Sequence, residues 1–113
     1  CIQGEIFDVA IDLRKSSPTF KKIFTISLSA ENKKMLFIPK GFAHGLYVTS
    51  ETAEVVYKCD ALYAPESEVS IRYDDPSLAI TWPGNSPTLS KKDSEGISLS
   101  EYLNRYEGLE WAN

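Results

Sequence analysis

Short stretches in which apolar and polar side chains alternate with a period of two recur along most of this chain, and they constrain its fold more than any other feature. In GEIFDVAIDL, Phe7, Val9, Ile11 and Leu13 alternate with Ile6, Asp8, Ala10 and Asp12. The pattern predicts a strand buried on one face, with Asp8 and Asp12 sharing the other. FKKIFTISLSA resumes the alternation, with Phe24, Ile26 and Leu28 set against Thr25, Ser27 and Ser29. The intervening RKSSPT has turn chemistry, so the two segments predict a hairpin. MLFIP reads as a short apolar strand stopped by Pro39, and Lys40-Gly41 as the turn that reverses the chain into FAHGLYV.

TAEVVYKCDALY alternates again, placing Ala53, Val55, Tyr57 and Cys59 on one face and Glu54, Val56, Lys58 and Asp60 on the other. EVSIRYDD supplies one more short strand, with Val69, Ile71 and Tyr73 on one side. Two prolines and a Gly-Asn pair make ITWPGNSPTLSKKD mostly loop. The period then lengthens. In ISLSEYLNRYEGL, Leu99, Tyr102, Leu103 and Tyr106 stand at helical spacing, and Ser98 with Glu101 matches a capping box. Strands at this spacing with turn signals between them predict an all-β antiparallel sandwich or barrel, foremost a jelly roll, closed by a short C-terminal helix.

At 113 residues, of which 42% are hydrophobic, the chain suits one domain with one buried core. Its formal charge of −4 argues against nucleic-acid binding, which needs clustered Lys and Arg. The Lys pairs at 21–22, 33–34 and 91–92 are isolated and read as solvated turns. Cys1 and Cys59 form neither a CxxC spacing nor a disulfide framework, which fits a reducing cytoplasm. No apolar run approaches the roughly 20 residues needed to cross a bilayer, so no membrane partner is expected.

The one histidine, His44, lies in IPKGFAHGLYVTS between two glycines. It reads either as a structural imidazole with both nitrogens satisfied or as a site residue. The glycines around it, which permit close approach of a ligand or a second backbone, favour a site. Metal binding is not expected, because a jelly-roll metal site needs two or three imidazoles and a carboxylate. Tyr57 reads as a core aromatic or, where a ligand replaces packing, as a general acid. Asp93 in SKKDS reads as an ordinary loop carboxylate, and Asp8 as either a solvated side chain or one that orients an imidazole on a neighbouring strand.

The runs GEIFDVAIDLRKSSPTF, LSAENKKMLFIPKGFAHG, SETAEVVYKCDALYAPESE, IRYDDPSLAITWP and LSKKD, in that order from about residue 4 to residue 93, resemble the dTDP-4-dehydrorhamnose 3,5-epimerase family. The resemblance implies a cupin-like jelly roll, a homodimer, and a cofactor-free enzyme that acts on a dTDP-sugar. Such an enzyme inverts C3 and C5 of dTDP-4-keto-6-deoxyglucose by removing protons beside the C4 ketone and returning them from the opposite face. By resemblance, Tyr57 of VVYK matches the acid and Asp93 of LSKKD matches the carboxylate that partners the base histidine. His44 of GFAHG matches a second site histidine, Tyr63 of ALYAPESE an aromatic near the nucleotide, and Asp8 of IFDVA a residue that orients His44. Lys58 points away from the site by strand alternation.

The family's RGLH-type block, with the base histidine, and its GKLVR-type block, with an oxyanion lysine, would precede Cys1. The chain is therefore expected to be a segment, residues 1–113 forming a single jelly-roll domain without its N-terminal strands. Two alternatives accompany this reading: a sugar-nucleotide-binding paralogue without catalysis, and a relative that inverts one carbon or isomerises the ketone. The shape of the loop at 83–93 is expected to decide whether one or both carbons are inverted.

Overall fold

The structure is a computed structural model and describes residues 1–106. Residues Glu5–Asp12 form β1, Ile23–Ser29 form β2 and Phe42–Val48 form β3, assembled as an antiparallel sheet in the order β2-β1-β3. The β1–β2 hairpin forms as the sequence predicts, in a register running from Glu5 opposite Ser29 to Ile11 opposite Ile23. Lys40-Gly41 turns the chain into β3, and Gly41 adopts φ 91°, a conformation open to glycine at little cost. β3 then pairs with β1 from Asp12 opposite Phe42 to Ile6 opposite Val48.

The expectation that β1 buries one face is incomplete. Ile6, Asp8, Val9, Ala10, Ile11 and Asp12 are all buried. The two aspartates on the even-numbered face of β1 are enclosed by side chains rather than solvated, Asp8 beside His44 and Asp12 among Arg14, Ser17 and Thr19. Asp12 is accommodated by charge-assisted bonds: Arg14 donates from Nε at 2.9 Å and Nη2 at 2.9 Å, and Ser17 and Thr19 each donate a hydroxyl at 2.6 Å. This cluster gives the RKSSPT turn its shape. The donors, Arg14 foremost, hold the Asp12 carboxyl well below the usual carboxylate range.

Three predicted strands do not form. MLFIP has no ladder partner, and Met35 and Phe37 are 93% and 85% exposed. TAEVVYKCDALY is reduced to a single bridge between Gln3 and Glu54, and EVSIRYDD to a single parallel bridge between Ile71 and Ile97. Alternation records that a segment suits a two-faced environment, but a strand also needs a neighbour to bond with. Among the described residues none lies beside β3 on its outer edge.

The odd-numbered face of β1 builds the core. Val9, Ile11 and Leu13 pack with Leu78 and Leu99, flanked by Phe7, Ile71, Trp82, Tyr102 and Leu103. Leu99 belongs to the predicted C-terminal helix, here α2 (Leu99–Arg105), whose cap Ser98 accepts from the Glu101 backbone N–H. The end of the helical run, residues 107–109, lies outside the described residues. The buried carboxylate of Asp75 ties the chain to this helix, accepting from the backbone N–H groups of Ser77 at 2.8 Å and Leu99 at 2.7 Å. The region expected to be mostly loop holds one short helix, α1 (Lys91–Ser94), where Ser90 accepts from the Asp93 N–H. The S-x-x-D pattern of SKKD was the available signal for it.

Candidate active site

Antiparallel register builds the centre of the site. Asp8 of β1 stands opposite Leu46 of β3, and His44 is two residues from Leu46, on the same face and within diagonal reach. Asp8 Oδ1 lies 2.6 Å from His44 Nε2. Asp8 is 4% exposed, whereas the His44 side chain retains 39% of its surface. A buried carboxylate thus fixes an accessible imidazole, placing a hydrogen on Nε2 and turning Nδ1 away from Asp8. Asp8 thus stands within hydrogen-bond distance of the imidazole, as expected of a residue that orients it.

A cleft of about 800 Å³ follows residues 41–46 along the outer edge of β3 and takes in both His44 and Asp93. Its lining also includes Ser70, Tyr73, Trp82 and Lys92. Asp93 sits in the first turn of α1, and the Ser70 hydroxyl faces its Oδ1 at 3.4 Å. Lys92 beside it pairs with Glu68 at 2.6 Å, and that contact raises the Lys92 pKa. Leu89, Ile80 and Val69 give the same cleft apolar surface, and an apolar lining with a few polar groups is typical of small-molecule sites.

The two tyrosines stand apart. Tyr57 and Tyr63 are each 81% exposed and neither lines the cleft. Tyr57 was expected to point inward from a strand. Because residues 53–60 form no ladder beyond the Glu54 bridge, alternation does not set its direction. Among the described residues, no three His, Cys, Asp or Glu side chains converge as a metal site would require.

Sequence reasoning passed over Trp82 and Gly84, which lie in the segment read as loop. Trp82 donates Nε1–H to the Tyr73 carbonyl at 2.8 Å and meets Phe7 and Tyr73 edge to face, with centroids at 6.0 and 6.3 Å. The signal available was the TWP run itself, a bulky aromatic that a solvent-exposed loop would not need.

A sequence profile described as dTDP-4-dehydrorhamnose 3,5-epimerase matches residues 1–101. The chain belongs to that family. It is 53% identical over 96 residues to the dTDP-4-dehydrorhamnose 3,5-epimerase of Shigella flexneri, covering 85% of this chain and 53% of the Shigella protein. Among solved structures, the dTDP-6-deoxy-D-glucose-3,5-epimerase of Legionella pneumophila, in complex with dTDP-4-keto-L-rhamnose, superposes with a TM-score of 0.91 at 47% identity. That match covers 99% of this chain and 60% of the Legionella chain. A 3'-monoepimerase from Streptomyces bikiniensis, in complex with dTDP-quinovose, matches with a TM-score of 0.84 at 33% identity, over 92% of this chain and 54% of its own. The chain spans about half the length of the curated relatives it matches. Its architecture is the family's all-β, antiparallel, cupin-like fold, of which the sheet and α2 are the described part.

Proposed function

We propose that this chain forms part of the site of an enzyme that epimerises dTDP-4-keto-6-deoxyglucose at C3 and C5, a step in making dTDP-L-rhamnose. The observation that carries this reading is the Asp8–His44 pair, whose His44 lines the same cleft as Asp93. Family membership and the dTDP-sugar complexes of the Legionella and Streptomyces proteins support it.

The chemistry follows from the ketone. Removing a proton from C3 or C5 puts the electron pair into an enolate whose charge rests on O4, and a proton returned from the opposite face completes the inversion. His44, held through Nε2 by Asp8, presents Nδ1, which in the protonated ring donates to that oxygen as charge develops. Asp93 polarises the base histidine, which in this reading comes from outside these 113 residues. Tyr57 delivers the proton on the far face, and Tyr63 stacks on the thymine. With both tyrosines exposed on residues 51–64, the reading requires that segment to lie against the bound nucleotide-sugar. Proton transfer and enolate stabilisation need no cofactor. The reading further implies a homodimer working in the cytoplasm. Among the described residues no helix is long and apolar enough to cross a membrane.

The monoepimerase match favours a second reading, inversion at one carbon only. Deuterium incorporation into dTDP-4-keto-6-deoxyglucose in D₂O, read by mass spectrometry on the full-length protein, separates the two. Exchange at two positions supports the 3,5-epimerase and exchange at one the narrower enzyme. Nucleotide binding without any exchange would leave a binding protein.

A further inference from the structure

We propose that the segment Trp82–Gly84 is a positioning strap that fixes where Asp93 stands relative to His44. The inference rests on the reading that both residues serve one sugar site, and it adds residues that contact no reacting atom.

Two close contacts fasten the strap to β3. Gly45 follows His44, and by alternation its Cα faces the side of the sheet opposite the imidazole. A methyl group built at Gly45 would meet Trp82 Cη2 at 3.5 Å, so the indole lies flush against the strand directly behind His44. Two residues further along the strand and on the same side, Tyr47 reaches Gly84. A Cβ placed on Gly84 would stand 1.9 Å from the Tyr47 hydroxyl oxygen and 2.6 Å from Cζ. Real contacts of a Cβ stay beyond 3.0 Å, so an alanine there requires the strap or the Tyr47 ring to shift by about an ångström.

The strap is anchored at its N-terminal end and leads at its C-terminal end to Asp93. On the N-terminal side, Trp82 is anchored by its bond to the Tyr73 carbonyl and by the aromatic contacts to Phe7 and Tyr73. On the C-terminal side the chain continues without regular structure to Ser90, which caps α1 and so sets the turn that carries Asp93. Two site residues that are 49 positions apart are thereby referred to the same few atoms of β3. Displacing a catalytic group by an ångström from a remote substitution can cost on the order of 10²-fold in rate, so the strap has leverage.

The test is Gly84→Ala in the full-length protein, alone and combined with Tyr47→Leu, which removes the ring that the new methyl strikes. The crystal structure of Gly84→Ala should show Asp93 displaced from its place relative to His44 by about an ångström, and the double variant should restore it. In D₂O exchange, kcat should fall by about tenfold or more with KM for the dTDP-sugar little changed, and the double variant should recover most of the rate. Melting should remain cooperative, so that a reduced folded fraction does not account for the loss. An unmoved Asp93 overturns the strap whether or not the parent protein turns over. So does an unchanged kcat in an active protein, or a loss that the double variant fails to relieve. A parent protein that binds nucleotide without exchange, while Asp93 still moves in the variant, overturns the epimerase reading and leaves the strap standing.

Discussion

Asp8 and His44 form a buried-to-exposed pair across two strands, with carboxylate oxygen and imidazole nitrogen 2.6 Å apart. The exposed member is the one with a nitrogen to spare, and the buried member can act only through it. Removing the imidazole should therefore cost more than neutralising the carboxylate. His44→Gln should lower kcat by roughly 10²-fold, the usual loss for one donor at a developing oxyanion. Asp8→Asn keeps a polar partner but removes the charge, and should lower kcat by about tenfold. Deuterium exchange measured beside calorimetric binding of dTDP checks both, since neither change should weaken nucleotide binding strongly.

Tyr57 allows a sharper experiment because its exposure frees it from any role in the core. Replacing it by Phe removes one hydroxyl from a side chain that is four-fifths exposed, so stability should stay within about 0.5 kcal/mol of the parent. If its phenol is the acid, kcat should fall by about 10²–10⁴-fold while dTDP affinity holds. An unchanged rate would remove Tyr57 from the mechanism.

The contrast between these residues shows how far the sequence could be read. The β1–β2 hairpin was legible because a period-two run, a Ser-Ser-Pro turn and a second run lie within thirty residues, so local information specified the pairing. The α2 helix was legible for the same reason, its apolar spacing and its Ser98 cap being adjacent. Asp8 beside His44 needed the β1–β3 register, which alternation alone does not give, and it was the family resemblance that suggested the pair. Residues 53–60 carry equally clean alternation yet make no ladder, since pairing depends on a neighbour that local sequence cannot name. Trp82 and Gly84 stayed hidden because their contacts with Gly45 and Tyr47 cross more than thirty residues.

Asp12 makes acid stability predictable in sign. Its carboxyl is lowered in the folded chain by Arg14, Ser17 and Thr19, against an unfolded value near 3.9. A carboxyl depressed on folding contributes stability that is complete above the unfolded value and is lost as pH falls below it toward the folded one. Melting temperature should thus be level near neutrality and decline below about pH 4. Asp12→Asn should lose about 2 kcal/mol or more at pH 7, because the donors of three residues lose their anion, and its remaining acid dependence should be shallower. A variant whose pH profile parallels the parent's would show that Asp12 does not govern the decline.

Asp75 offers a separate test of how α2 is held. Its carboxylate accepts from the hydroxyl and N–H of Ser77 and from the N–H of Leu99, the first residue of the helix, and is lowered below the usual range by these bonds, with the Ser77 hydroxyl the leading cause. A carboxylate at that position satisfies a donor that the helix cannot satisfy internally, and its negative charge complements the N-terminal dipole. Ser98 satisfies a second such donor, from Glu101. Asp75→Ala leaves the buried Leu99 N–H without its partner and should cost about 1–3 kcal/mol, whereas Ser98→Ala should cost about 1 kcal/mol, the typical loss of a cap. Leu99 is a core residue and Tyr102 lines the same cleft as Asp93, so loosening α2 should also reach the site. Urea melts of the two variants rank the effects. A larger loss for Ser98→Ala would mean that the cap, rather than the link from Asp75, anchors the helix.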